Sequence, residues 1–179
     1  AEIQEADFCP IIIDYIDTPE LFAYAYDALL QFGDKALSYL DQVFYKSGTS
    51  HGVSLRVVKM MGEIGGDKAI ELLLTKLDHP NEEILYFVLL ALEKCGFNAN
   101  ETNMHQIHQI IERQIGVLGW NIAAKTTLDN FDNLDYLKQA VQEELASNYN
   151  LLYLLLSLAY DSKSIQHVKE NIESGTTEG

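Results

Sequence analysis

The four-residue sequence GDKA occurs twice in this chain, at residues 33–36 and again 33 residues later at residues 66–69. Each copy ends one amphipathic helical pattern and begins another. Gly33 and Gly66 are suited to turning the chain in the left-handed region, and Asp34 and Asp67 to capping the helix that follows. The alanine of each copy is small enough to let two helices approach closely. The repeat therefore predicts an elbow between paired helices.

The helices around the elbows repeat in register. In three successive first helices, apolar residues fall at i, i+4, i+7 and i+8: Leu21, Ala25, Ala28 and Leu29, then Val53, Val57, Met60 and Met61, then Ile84, Val88, Ala91 and Leu92. In the second helices, the matching stripes are Leu37, Leu40 and Phe44, and Ile70, Leu73 and Leu77. A two-helix unit of about 32 residues cannot bury its stripe alone. The pattern predicts an all-α fold, an α-solenoid of stacked antiparallel helix pairs.

Helix ends are marked by capping residues. Thr18 and Pro19 suit the start of the first helix, and Gly33 suits its end. Asn81 suits the start of the first helix of the third repeat, and Gly96 suits its end.

The period weakens beyond Gly96. A long helix is predicted from Met104 to about Asp129, with interruptions at Gly116 and Gly119, and with one apolar side formed by Ile107, Ile111, Ile115 and Leu118. A second long helix is polar early and apolar on all sides late, which predicts burial of its second half. A short helix over residues 162–175 ends the pattern. We predict a single domain over 1–179, with regular repeats over about 18–96 and longer, irregular helices over 97–179.

The segment VSLRVVKMMGEIGGDKAIELLLTKLDHPNEEILYFVLLALEKCG resembles HEAT repeats of the short bacterial type. The shared features are a small residue before Leu in the first helix, a Gly-Asp elbow, an LLxxL second helix and an Asp-x-Pro loop. The family usually carries an early Arg that joins a charged ladder, where this chain has Phe22, Ser54 and Leu85. We therefore expect an apolar seam in place of the ladder.

The tail adds a more particular resemblance. A HEAT segment followed by NLLYLLLSLAYDSKSIQHVKENIESG is similar to the cytosolic repeat region of bacterial ATP/ADP translocase-like carriers. The resemblance implies a soluble regulatory region of a nucleotide-transporter-like membrane protein, and it carries no transporter residue onto this chain. The sequence lacks an initiator Met and ends in SGTTEG, where Gly175 is suited to end one helix and Thr176 or Thr177 to cap another. We expect a domain excised from a longer protein.

The net charge and the cysteine spacing limit the classes of partner and the cellular compartment that we expect. The formal net charge is −15 and the only arginines are Arg56 and Arg113, which argues against nucleic acid as a partner. Cys9 and Cys95 form no CxxC, which favours a reduced cytoplasmic setting, and neither is expected to be a nucleophile or a metal ligand. The longest apolar run, residues 151–160, is half of the roughly 20 residues that a bilayer span needs. We expect no membrane insertion of this segment.

Candidate chemical groups are few. His105, His108 and Glu112 have a spacing that could hold a metal on one helical edge, but a solvated flank is favoured. Asp129, Asp132 and Asp135 lack the spacing of an EF-hand and are expected at helix ends. His79 is interpreted as a loop residue before Pro80, and Trp120 as a core residue. No cofactor or metal site is predicted, and no nucleophile elbow, phosphate loop, dinucleotide fingerprint or HExxH occurs.

These observations favour a noncatalytic protein–protein interaction or scaffold module, since stacked helix pairs create an extended surface for a protein partner. The alternative is an enzyme on a HEAT scaffold, such as a bilin lyase-like protein; HEAT-type DNA glycosylases need a basic groove, which the acidic charge opposes. Stacking should align the outward residues of the second helices as a mildly acidic strip. This candidate protein-contact face consists of Ser38, Gln42, Tyr45, Glu71, Thr75 and Asp78.

Overall fold

In a computed structural model that describes residues 8–175, the chain forms nine α-helices and no strand within that range. The prediction of an all-α fold is confirmed for this part of the chain. The helices are α1 (Cys9–Ile13), α2 (Pro19–Phe32), α3 (Asp34–Tyr45), α4 (His51–Ile64), α5 (Gly66–Leu74), α6 (Glu82–Lys94), α7 (Glu101–Leu128), α8 (Asp135–Ala159) and α9 (Ser162–Gly175).

The chain divides into two compact units, Ala1–Phe97 and Asn98–Gly179. The boundary lies where the regular repeats were predicted to give way to irregular helices. That both parts form one domain stays a prediction.

The elbows in the first unit depend on glycines with positive φ. Gly33 has φ 55° and ψ −132°, and Gly65 has φ 70° and ψ −164°. Residues other than glycine rarely adopt these backbone conformations. These two glycines are the N-caps of α3 and α5, so Gly65 rather than Gly66 is the structural equivalent of Gly33. The expectation that Asp34 and Asp67 cap these helices is wrong. Both aspartates lie within the first helical turn, where their charge favours the positive end of the helix.

The predicted ends of α2 and α6 are confirmed in position. Thr18 is the N-cap of α2 with Pro19 as its first residue, although the Thr18 side chain makes no capping hydrogen bond. The Asn81 side chain caps α6 by accepting a hydrogen bond of 3.0 Å from the Ile84 amide. Gly96, with φ 73°, ends α6 in a Schellman motif, in which the Phe97 amide donates to the Leu92 carbonyl at 3.0 Å.

Within each helix pair the two helices pack together, and first helices also pack on first helices, and second on second, of the neighbouring pair. In the first unit α2 packs on α3 and α4, α4 packs on α5 and α6, and α3 packs on α5. Leu29, Met61 and Leu92, predicted as equivalent core positions, are each fully buried. Ala36 and Ala69 are also fully buried, which is consistent with close helix approach at both elbows.

The predicted apolar stripe of α2 is only partly buried. Leu21 is 41% exposed and Ala28 is only half-buried, so two of the four predicted core positions of this helix lie at the surface. At the positions where the resembled family carries Arg, Ser54 and Leu85 are buried and Phe22 is half-buried.

In the second unit, α7 and α8 pack against each other as an antiparallel hairpin. Near the connecting loop Asn121 donates a hydrogen bond to Asn148 at 2.6 Å, and far from the loop His108 lies 3.0 Å from the Tyr160 hydroxyl. α7 is continuous, so the predicted interruptions at Gly116 and Gly119 are wrong. The predicted deep burial of the second half of α8 is found along one side only, at Asn148, Leu151, Leu154, Leu155 and Leu158, whereas Tyr149 is 41% exposed.

The last helix, α9, matches the predicted range and packs on α8. Lys169 of α9 donates a hydrogen bond to Asn150 at 3.2 Å and lies 5.6 Å from the centre of the Tyr153 ring. Thr176 and Thr177, predicted to cap a further helix, lie outside the described residues. None of the helices formed by residues 8–175 is long and apolar enough to cross a membrane.

Candidate protein-binding face

The six residues of the predicted contact face are all exposed. Those on α3 come from successive outward turns of the helix, and those of the next pair lie on α5 and in the turn that follows it. We refer to them together as the α3–α5 face: Ser38, Gln42, Tyr45, Glu71, Thr75 and Asp78.

Direct side-chain contacts join the two halves of this face. The Tyr45 hydroxyl lies 3.3 Å from the Thr75 hydroxyl and donates to the Thr75 carbonyl at 3.4 Å. Closer to the elbows, the Lys68 ammonium donates to the Asp34 carbonyl at 3.1 Å. Because these contacts link α3 to α5 near both ends, the exposed sides of the two helices form one continuous surface.

A buried lysine that the sequence analysis did not identify lies under this face. Lys76 is 1% exposed, and its ammonium donates to the Asp41 carboxylate and, at 3.1 Å, to the Leu72 carbonyl. It also lies 4.8 Å from the centre of the Phe44 ring and 4.7 Å from that of Tyr45. A buried charge needs such a partner set because desolvation penalises it. The sequence contained one signal for this burial: Lys76 comes three residues after Leu73, at a position on the apolar stripe of the second helix.

The electrostatics of the face follow from this burial. The charge of Lys76 is directed inward to Asp41, while the carboxylates of Glu71 and Asp78 are exposed. Two exposed carboxylates therefore lie on the outward surface, with the exposed Lys68 one turn before Glu71, and the acidic character of the strip stays a prediction.

The two cysteines are in surroundings that disfavour the thiolate. Burial raises the pKa of Cys9, although nearby Lys35 and a backbone hydrogen bond lower it in part. Burial likewise raises the pKa of Cys95, against a smaller lowering effect of Lys94. A raised thiol pKa reduces the fraction of thiolate, the form that reacts and binds metals.

The candidate metal-ligating residues have other structural partners. The His108 ring stacks on Tyr160 with 6.2 Å between ring centres, while His105 and Glu112 are exposed. Residues 8–175 contain no group of three or more His, Cys, Asp or Glu side chains placed to hold a metal ion. The three aspartates of the α7–α8 loop lie at helix ends or between them: Asp129 at the C-cap of α7, Asp132 in the loop and Asp135 in the first turn of α8.

His79 lies in the loop after α5, as interpreted from the sequence, and its ring packs edge-on against Phe44 with 5.6 Å between centres. Its Nδ1 accepts a hydrogen bond of 3.2 Å from the Asn81 amide. The prediction that Trp120 packs in a core is wrong, because this side chain is 75% exposed. Ile115, predicted on the apolar side of α7, is 53% exposed. A two-helix hairpin buries only the stripe that faces the partner helix, and both residues lie outside that stripe.

The depressions in the described part of the first unit include two small ones. One of about 180 Å³ lies between the α1–α2 turn and the α3–α4 loop and includes Asp14, Lys46 and Thr49. The other, of about 240 Å³, lies along α1 and α2 and is almost entirely apolar. Both are smaller than the roughly 300–1,000 Å³ of typical small-molecule sites.

No protein-family model, curated protein or solved structure matches this chain. The resemblance to HEAT repeats and to the carrier-linked repeat region therefore rests on the residues of the chain itself. Both resemblances stay predictions.

Proposed function

We propose that this chain is a noncatalytic protein-interaction module and that its first unit is a short α-solenoid of HEAT-like helix pairs. The order of helix contacts supports this proposal. First helices contact first helices in the series α2, α4 and α6, and the second helices α3 and α5 contact each other. In a solenoid each unit contacts its neighbours in this way, and the stacked units present an extended binding surface.

The observation that carries the proposal is the continuity of the α3–α5 face. Its six residues come from two successive units, they are all exposed, and the contact of Tyr45 with Thr75 fixes the spacing between the two helices. A partner would meet a surface with little freedom to rearrange, so it would lose little affinity to ordering of the face.

The chemistry of the face indicates a partner with a basic surface. Glu71 and Asp78 supply exposed carboxylates, and Ser38, Gln42 and Thr75 supply neutral hydrogen-bonding groups. Tyr45, which is 58% exposed, offers an amphipathic ring of the kind that is enriched in protein interfaces. Complementary charge across such an interface increases the association rate and the specificity.

Charge reversal on this face is expected to release the partner. We expect proteins captured by the wild-type chain to be retained roughly tenfold less by the Glu71→Lys, Asp78→Lys double variant at low salt, a change of about 1.4 kcal/mol. Affinity capture with quantitative mass spectrometry measures the ratio. The matched control reverses two exposed carboxylates of the second unit, Glu112→Lys and Glu144→Lys. Equal retention by both double variants would contradict a binding role of the face.

We further propose that the module regulates a membrane carrier of the ATP/ADP translocase-like type. This proposal is supported by the tail sequence that follows the repeats, residues 150–175. The reading frame of the parent gene tests it: we expect apolar spans of about 20 residues upstream. A parent without such spans would remove the carrier link and leave the interaction module unaffected.

A further inference from the structure

An apolar groove runs along the surface of α1 and α2 in the first unit. Its volume is about 240 Å³. It is lined by aliphatic and tyrosine side chains, with almost no polar surface: Ile12, Tyr15, Leu21, Tyr24, Ala25 and Ala28. We call this surface the α1–α2 groove.

The side chains of this groove are unusually exposed for their size. Tyr24 is 75% exposed, Tyr15 is 44% exposed and Leu21 is 41% exposed, and on α1 the neighbouring Ile11 is 57% exposed. Exposed apolar side chains that lie together in this way are typical of interaction sites. Tyrosines add rigid contact area that keeps a polar hydroxyl available at the rim.

The chain segment that forms the groove is acidic. Residues 8–34 include five carboxylates and no Lys, Arg or His. All five are exposed: Asp14, Asp17, Glu20, Asp27 and Asp34. Glu20 and Asp27 lie four residues before and three residues after Tyr24, on the same face of α2.

The basic side chains near residues 8–34 include Arg56, Lys35 and Lys46. The Arg56 guanidinium donates to the Ile16 carbonyl at 2.6 Å and lies 3.9 Å from the Asp17 carboxylate. Lys35, at the start of α3, is close enough to Cys9 to lower the pKa of its thiol in part, and Lys46 lines the neighbouring depression together with Asp14 and Asp17. None of the three forms an ion pair with Glu20 or Asp27, the carboxylates that flank Tyr24 on α2.

We propose that the α1–α2 groove binds an amphipathic helix of another protein, with aliphatic or aromatic side chains at i, i+3 or i+4, and i+7 and with Lys or Arg beside them. The apolar side chains fill the groove and the basic ones pair with Glu20 and Asp27. A helix is the expected form because residues 8–175 contain no strand whose edge could pair with an extended peptide. The inference rests on the proposed function only because it takes a protein as the ligand. The binding surface is a different one, the α1–α2 groove instead of the α3–α5 face.

The charge distinguishes this ligand from a second copy of the chain. In a symmetric dimer through the groove, Glu20 and Asp27 of one copy would lie against the same residues of the other. Like charges at an interface oppose association, and the chain as a whole has a formal charge of −15.

A peptide selection tests the proposal directly. The complete chain is presented to a library of random peptides of about 16 residues, long enough for a helix of about 24 Å. We expect enrichment of peptides that combine Lys or Arg with the i, i+3 or i+4, i+7 apolar pattern. Their affinity should fall roughly tenfold with Tyr24→Ser, because loss of an aromatic anchor typically costs at least that factor. The affinity should also fall when Glu20→Lys and Asp27→Lys are combined. This loss should be smaller at high salt, which screens the charges.

The controls use residues of the second unit with similar exposure. Tyr136, which is 88% exposed, is changed to Ser, and Glu112 and Glu144 are changed to Lys; these variants should bind the selected peptides like the wild type. Circular dichroism verifies that each variant is folded. Enrichment of acidic peptides, absence of enrichment, or equal binding by Tyr24→Ser would overturn the proposal. So would a dimer in sedimentation analysis that Tyr24→Ser dissociates. None of these results bears on the α3–α5 face, which the Glu71 and Asp78 variants test separately.

Discussion

Replacing Asp41 with alanine is expected to lower the free energy of unfolding of the first unit by about 3 kcal/mol, the lower end of the cost of breaking a buried ion pair, because the Asp41 side chain is itself 27% exposed. The reason is that the Lys76 side chain, which is 1% exposed, would be left in the interior without its carboxylate partner. The Leu72 carbonyl and the rings of Phe44 and Tyr45 remain near the ammonium, but none of them carries a negative charge. Urea denaturation of the complete chain measures the loss, and hydrogen exchange in α3 and α5 locates it.

A pair of controls separates the buried charge from a general effect of losing a carboxylate. Glu63→Ala breaks the exposed pair of Glu63 with Lys94, which lie 2.6 Å apart, and should cost at most about 1 kcal/mol. Lys76→Met keeps an aliphatic chain in the same space, and adding it to Asp41→Ala should recover most of the loss, because the unpaired charge is gone. Equal costs for Asp41→Ala and Glu63→Ala would show that the Lys76 ammonium reaches water.

Replacing Gly62 with leucine is expected to destabilise the first unit by about 3 kcal/mol, at the upper end of the usual range for overpacking. A Cβ atom at Gly62 would lie 2.8 Å from the Cβ and 2.9 Å from the Cα of Ala91. Both distances are shorter than a carbon–carbon contact of about 3.5–4.0 Å. Since one of the colliding atoms is backbone, α4 and α6 must move apart to admit any side chain.

The matched control is in the same helix. A Cβ atom at Gly52 meets no atom within 4 Å, so Gly52→Leu should be neutral or slightly stabilising, because leucine favours the helix by up to about 1 kcal/mol over glycine. Thermal denaturation of the two variants gives the comparison. If Gly62→Leu unfolds at the same temperature as Gly52→Leu, the close approach of α4 and α6 is wrong.

Apolar periodicity was sufficient to predict α2 to α6 of the first unit, because burial against neighbouring helices imposes the helical period on the sequence; α1, with five residues, is too short to show this period and was not predicted. It was less reliable for the elbow. The repeated letters paired Gly33 with Gly66, whereas the backbone places Gly65 in the equivalent position. A helix start is decided by φ and ψ, and two adjacent glycines leave its position open by one residue.

The second unit was harder to predict, for two physical reasons. A glycine lowers helix propensity by only about 1 kcal/mol, so Gly116 and Gly119 remain within α7, whose contacts with α8 stabilise it. The exposure of Trp120 depends on how few helices surround it, which one sequence does not specify.

The exposure of the six residues of the α3–α5 face was predicted from the helical period, but the ion pair beneath them was not. The six residues are exposed because they point away from the buried stripe of each second helix. The ion pair of Lys76 with Asp41 joins residues 35 positions apart, and a local pattern contains no information on such a pairing.

Photo-crosslinking from the α3–α5 face is the most direct test of the proposed interaction role. A photoreactive phenylalanine analogue replaces Gln42, which is exposed in the middle of the α3 side of the face, and in a second protein it replaces Glu144, which is exposed on α8. On irradiation in cells that contain the native partner, we predict a covalent adduct with a different protein from position 42 and none from position 144. An interaction module of this kind would be contradicted by the absence of an adduct at position 42, or by adducts of equal yield at both positions.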